Sequence, residues 1–272
     1  MNSSRRYFLK VAGLSAFALA GGAGAAMAAE ADAEAVAGAA DGPQEAFMQA
    51  ALEEAYAAAL KAGRWAMVID TRKLNTVERM RKVIDACHKY HNVPDIPGTQ
   101  EVKWLWDDTY HHAFSDEVHP VLPTRVEESR FFMLCNHCEN PSCVRVCPVK
   151  ATYKTEQGLV AIDYHRCIGC RFCMAACPYG SRSFNFQDPR PFIKDLNPAY
   201  PTRMRGVVEK CTFCAERLEK GLLPVCVEAS EGAILFGDLR DPDSVVSKAL
   251  AENYSIRRKP SLGTDPGVYY II

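Results

Sequence analysis

Cys167-Ile168-Gly169-Cys170-Arg171-Phe172-Cys173-Met174-Ala175-Ala176-Cys177-Pro178 is the stretch that decides how this chain folds. Its cysteines are spaced x2, x2 and x3, and a proline follows the last. One loop with that spacing can wrap three corners of a [4Fe–4S] cube, while the fourth thiolate reaches a neighbouring cube. Zinc ribbons use separated Cys-x2-Cys pairs and have no need of the fourth cysteine and its proline. A disulfide framework does not crowd cysteines in this way. The reading places the fourth cysteine at the start of a helix.

Moving outward, Cys135-x2-Cys138-x4-Cys143-x3-Cys147-Pro148 repeats the device with a wider second gap holding Pro141. If the fourth ligands are exchanged, cluster A takes Cys135, Cys138, Cys143 and Cys177. Cluster B then takes Cys167, Cys170, Cys173 and Cys147. A third run, Cys211-x2-Cys214-x11-Cys226, lacks its fourth cysteine, because Ser230 stands in that place and Glu231 where proline would be. Of the twelve cysteines only Cys87 is left over, so cluster C is expected to use Cys211, Cys214, Cys226 and Cys87. A buried structural thiol at Cys87, with a three-cysteine third site, is the rival reading.

The remainder of the chain is less unusual. It has 272 residues, a net charge of -1 and a hydrophobic fraction of 48%. Near-neutral charge gives no argument for nucleic acid or an anionic surface as partner. Ser4-Arg5-Arg6-Tyr7-Phe8-Leu9-Lys10, an Ala/Gly-rich stretch and Ala26-Met27-Ala28 read as a twin-arginine signal peptide over 1–28. An N-terminal membrane anchor is the alternative. No later run is apolar enough to span, so the mature chain is expected to lack a transmembrane helix. That export route suits cysteines already bound to a cofactor, which an oxidising compartment cannot pair as disulfides.

Residues 29–63 read as an Ala-rich leader and a helix, and 64–255 as the iron–sulfur domain. Within that domain Arg64–Asp70 reads as a buried strand and 76–91 as a basic helix. Residues 92–128 read as a loop-like insertion anchored by Trp104 and Trp106, with His111, His112 and His119 as surface or packing residues. Leu159–Ile162 and Ala233–Phe236 read as strands. Residues 256–272 read as a C-terminal arm or strand over the core. Arg145, Arg166, Arg171, Arg182 and Lys210 lie close enough to offset thiolate charge. His137 and His165 sit beside ligands as neighbours only.

With these runs in view, the chain resembles the four-cluster ferredoxin-like iron–sulfur subunits that accompany molybdopterin reductases and quinone-linked membrane proteins. The resemblance covers about residues 64–240 and implies an α+β fold of tandem bacterial-ferredoxin-like [4Fe–4S] modules. Asp70-Thr71-Arg72-Lys73 and Ala86-Cys87-His88-Lys89 resemble the ends of the family's first cysteine run. Counting back from Cys87 puts Val83, Met80 and Leu74 where three cysteines would stand. With Ser230 these four mark a lost fourth site, leaving three [4Fe–4S] clusters. The register of that degenerate run is left open by its long first gap.

Within the family, Gly206–Cys211, Cys226–Ser230 and Leu262–Pro266 resemble the DsrO/HmeA type of subunit in Dsr membrane complexes of dissimilatory sulfur metabolism. The resemblance implies an electron-transfer role in the periplasm, an NrfD-like quinone-interacting membrane partner and a multihaem cytochrome c. A subunit of a periplasmic molybdopterin oxidoreductase is the alternative. No nucleophile–base pair, phosphate loop or nucleotide fingerprint suggests that the chain is a catalyst itself.

Overall fold

The computed structural model describes residues 59–116 and 120–272. The signal peptide, the leader, the helix expected before Leu60 and His119 lie outside the described residues.

Strand β1, Trp65–Asp70, is buried along its whole length. An apolar run this continuous implies cover on both faces, since side chains alternate across a strand. Trp65, Met67 and Ile69 enter the main core, whereas Ala66 and Val68 meet Val246 on the other side. Val246 belongs to the helix Val245–Glu252, whose N-cap Ser244 accepts a hydrogen bond from the Ser247 amide. β1 runs antiparallel to the strand Ile234–Asp238, with Met67 opposite Phe236. On its other edge it runs parallel to Val268–Ile271, with Met67 opposite Val268. Ser255–Ile256 closes the sheet beside that last strand. Within the segment 256–272, Ile256 and Val268–Ile271 are thus members of the four-stranded sheet.

Helix α1, Val77–Tyr90, is started by Thr76, whose side chain accepts from the Arg79 amide. Met80, Val83, Ile84 and Cys87 recur at helical spacing and form its buried face. Its basic side chains Arg79, Arg81, Lys82 and Lys89 are exposed. That face packs against the short helix Val225–Ala229, which carries Cys226.

The 92–128 insertion is more regular than a loop. Leu105–Thr109 is strand β2, paired antiparallel with β3, Arg130–Leu134, so that Leu105 faces Leu134. Its partner lies outside the Pro-flanked window, and a short strand without its partner has little local signature. Trp104 is fully buried and donates Nε1–H to Glu209 at 2.8 Å, while Trp106 is half-buried. His111 and His112 are exposed.

Two further hairpins support the cysteine loops: β4, Thr152–Lys154, with β5, Val160–Ile162, and β6, Ser183–Phe184, with β7, Val208–Glu209. The described residues thus combine helices and short strands, as the α+β reading holds. Among them, no helix is long and apolar enough to cross a membrane.

Candidate iron–sulfur centre

All twelve cysteines lie among the described residues, and none is in a disulfide. In each complete run a single helical turn sits between the second and fourth cysteines: Ser142–Arg145 in one, Phe172–Ala175 in the other. The expectation that the fourth cysteine opens a helix is therefore corrected. Cys147 and Cys177 come after their turns, because a residue preceding proline is pushed out of helical conformation.

The residue two after the first cysteine of each run has left-handed backbone: His137 (φ 40°), Gly169 (φ 69°) and Phe213 (φ 55°). This repeated reversal curls each loop inward and gathers its thiols. At Gly169 any Cβ would lie 2.4 Å from the Gly206 carbonyl oxygen, so the close approach admits glycine alone.

Electrostatics show which thiols are neighbours. Burial pushes the Cys138 thiol up to about 12, and charge on Cys135, Cys143 and Cys177 adds to this, against a hydrogen bond from Thr264. These four are set A as the sequence groups them. Burial also raises Cys173, partly offset by Arg182, with Cys167 and Cys147 as its thiol neighbours. Cys147, Cys167, Cys170 and Cys173, set B, line one hollow walled by Val149, Ala151, Ile162 and Val208. Cys147 differs in direction: burial alone would raise it, but the amides of Thr152, Ala151, Val149 and Lys150 lower it overall.

Cys87 lies with the third run. Burial raises its thiol far above the ordinary range, and Cys214, Cys211 and Cys226 raise it further. All four side chains of this set C are buried. After burial, charge on Cys135 is what raises Cys211 most, which places set A beside set C.

The cationic partners divide into two classes. Arg182 is buried, donates to Cys143 Sγ at 2.9 Å, and is stabilised in its charged form by Cys143, Cys173, Cys135 and Cys177 after a desolvation penalty. It therefore stands between sets A and B. Lys210 is buried and donates to the carbonyls of Val160 and Cys211. Arg145, Arg166 and Arg171 are exposed, where solvent screens them. Arg166 pairs with Asp163 at 3.2 Å, and Arg171 lies over Phe184. His165 is exposed. His137 is buried, accepts from the Val160 amide at 3.0 Å and faces the Cys211 carbonyl at 3.1 Å, so it braces two runs through backbone.

The donor set fits a thiolate-bound iron–sulfur group. Asn136 and Thr212, each next to the first cysteine of its run, are buried and half-buried respectively, and their solvent-shielded side-chain polar atoms have no protein partner. Such orphaned donors beside buried thiols are costly unless sulfur or another bound acceptor meets them. When bound, a group of this kind supplies a one-electron couple. Ligation requires deprotonated sulfur, so the raised thiols must release protons on loading.

Of the four residues that the sequence marks as a lost site, three are apolar. Leu74, Met80 and Val83 are buried, and Leu74, Val83 and Ser230 wall one cavity under the Lys82–Glu231 ion pair. Ser230 Oγ donates to the Val227 carbonyl at 2.7 Å and accepts from the Ile234 amide at 3.0 Å, which ties it to backbone.

Sequence reasoning missed His91. It caps the C-terminus of α1, and its amide bonds the Cys87 carbonyl. Its ring meets Cys87 Sγ at 3.4 Å, Cys214 Sγ at 3.5 Å and Glu216 at 3.2 Å. The i, i+4 spacing from Cys87 was the available signal.

Comparisons with known proteins agree with this chemistry. A family profile described as "4Fe-4S dicluster domain" matches residues 128–189. The chain is 42% identical over 229 residues to the "Hdr-like menaquinol oxidoreductase iron-sulfur subunit 1" of Archaeoglobus fulgidus, covering 76% of this chain and 82% of the relative. It is 36% identical over 237 residues to the "Menaquinone reductase, iron-sulfur cluster-binding subunit" of Nitratidesulfovibrio vulgaris, covering 76% and 88%. It is 35% identical over 220 residues to the "Arsenate respiratory reductase iron-sulfur subunit ArrB" of a Shewanella species, covering 69% and 84%. Buried thiol nests, a repeated inward-curling loop and likeness over most of the length of three such proteins converge: the chain belongs to the family of ferredoxin-like iron–sulfur subunits that transfer electrons within larger oxidoreductase complexes.

Proposed function

We propose that this chain relays electrons through three [4Fe–4S] clusters, held by sets A, B and C, between a quinone-interacting membrane subunit and a periplasmic partner. The carrying observation is the division of twelve cysteines into three groups of four neighbours, with Cys87 joining the third. The shared Arg182 joins B to A, and the Cys135–Cys211 neighbourhood joins A to C, so the relay order is B–A–C. Set B holds the exposed Cys170 and is the end nearest solvent, whereas set C is buried.

The relatives named for menaquinol and menaquinone support the quinone side of the reading. The NrfD-like partner, the multihaem cytochrome c and a Dsr-type role in sulfur metabolism rest on the sequence resemblance. Export to the periplasm rests on the twin-arginine motif at Arg5 and Arg6. A second reading, service to a molybdopterin reductase, draws on the likeness to the iron–sulfur protein of an arsenate respiratory reductase. Affinity purification of the tagged chain from its membranes tests both. A quinone-interacting membrane protein with cytochrome c supports the first reading, and a molybdopterin protein replaces it with the second. Separately, Arg5→Lys with Arg6→Lys leaves cluster-loaded precursor in the cytoplasm; normal export of that variant refutes the address.

A further inference from the structure

Two buried histidines lie among the thiols, and their surroundings differ. The ring nitrogens of His137 meet only backbone, the Val160 amide and the Cys211 carbonyl, and its ring stacks on Phe213. His91 is 1% exposed, and its Nδ1 meets the Cys87 carbonyl at 2.9 Å and Cys87 Sγ at 3.4 Å. Its Nε2 meets Glu216 Oε1 at 3.2 Å and Cys214 Sγ at 3.5 Å. The neighbours of the two nitrogens are two cysteine sulfurs, a carbonyl and a carboxylate. One ring thus spans two thiols that the chain brings from opposite ends of the iron–sulfur region.

The ring is also held still. Its backbone amide bonds the Cys87 carbonyl, and Arg203 donates to its carbonyl. Trp104 and Tyr200 flank the imidazole, each with ring centroids at 4.8 Å. Arg203 lies over both aromatic rings and is itself fixed by a buried ion pair with Glu209 at 2.7 Å. A side chain this constrained keeps one orientation through a change of charge at the thiols.

We propose that His91, held by Glu216, is a positioning residue of set C that directs a ring N–H at the Cys87–Cys214 thiol pair and thereby sets the reduction potential of the group bound there. The inference rests on the reading of Cys87 and Cys214 as ligands. An N–H directed at thiolate sulfur withdraws negative charge, and reduction adds an electron to the same centre. Such a bond therefore stabilises the reduced form more than the oxidised one and raises the potential. Neither set A nor set B has a histidine in contact with sulfur among the described residues.

The test is EPR-monitored redox titration of the full-length loaded protein, with iron analysis, for wild type, His91→Phe, His91→Gln and Glu216→Gln. His91→Phe keeps an aromatic ring at the position and removes both ring nitrogens. Hydrogen bonds to charged groups are typically strong enough for about a tenfold effect on an equilibrium. The reduced-to-oxidised ratio of set C at fixed potential should therefore fall about tenfold in His91→Phe, equal to about 59 mV for a one-electron couple. Sets A and B should not move. His91→Gln, which retains an N–H donor, should recover part of the shift. Glu216→Gln should alter the set C spectrum while leaving iron content unchanged.

A fully loaded His91→Phe protein with an unchanged set C potential overturns the proposal. So does an equal shift of all three sets. Should His91→Phe fail to load, His91→Gln decides: wild-type potential and line shape in Glu216→Gln with no partial shift in His91→Gln also overturn it. Cys87→Ala separates this failure from failure of the ligand reading. Full iron in Cys87→Ala removes both, whereas selective loss of set C with no effect of His91 removes only the role of His91.

Discussion

Cys87→Ala is the most informative single substitution. Cys87 projects from the buried face of α1 towards Cys211, Cys214 and Cys226, and no other cysteine lies outside the three runs. With three four-thiol sets of four irons each, the wild-type protein binds about twelve irons. Losing one ligand of set C should reduce that to about eight, and visible absorbance should fall by about a third. The remaining three thiols have little reason to retain iron. Burial pushes Cys211 up to about 12, and Cys214 is raised further by its thiol neighbours, so without a complete site these groups stay protonated. Iron analysis and EPR of the dithionite-reduced protein should show sets A and B intact. Cys177→Ala supplies the contrast: it should damage set A, although its neighbours in sequence belong to set B. Wild type with about sixteen irons, or Cys87→Ala with an unchanged spectrum, would refute the grouping.

Arg182→Met should lower the potentials of sets A and B by on the order of 60 mV, since one charge-assisted donor to Cys143 is lost, and leave set C unmoved in the same titration. Met80→Ala should cost about 2–5 kcal/mol in denaturant unfolding because the side chain is fully buried, yet leave iron content unchanged. Ser230→Ala should likewise keep full iron, with a loss of about 1 kcal/mol from its backbone bond to Ile234. The Arg72 guanidinium holds the Asp70 carboxyl below its ordinary range. A depressed carboxylate stabilises the fold above its unfolded value near 3.8 and loses that contribution as pH falls through its folded value. Asp70→Asn should therefore unfold more readily than wild type at neutral pH, and the difference should shrink as acid protonates the folded carboxyl; a gap that does not change with falling pH would contradict the assignment.

Much of the centre was legible before any coordinates. Ligand spacing is a matter of covalent reach, so x2, x2 and x3 gaps followed by proline specify how thiols gather within a loop, whatever surrounds them. β1 and α1 were equally plain, because a continuous apolar run and a 3.6-residue stripe carry their own periodicity. The count of cysteines then pointed Cys87 to the third run, and the family resemblance marked the apolar Leu74, Met80 and Val83 as a lost one. Tertiary structure decided what lies between distant segments. Strand β2 needed β3, and the C-terminal strand became a sheet member by pairing in parallel with β1, because strand pairing depends on partners and not on local sequence. Arg182 and Lys210 were separated from Arg145, Arg166 and Arg171 by burial alone, which removes the solvent that would screen them. His91 touches two thiols, and Asn136 and Thr212 are left without protein partners, because folding superimposes α1 on the third run and sets that run beside the first. The sequence alone named the candidate thiols; the electrostatic surroundings of those thiols came only from the packing of segments far apart in the chain.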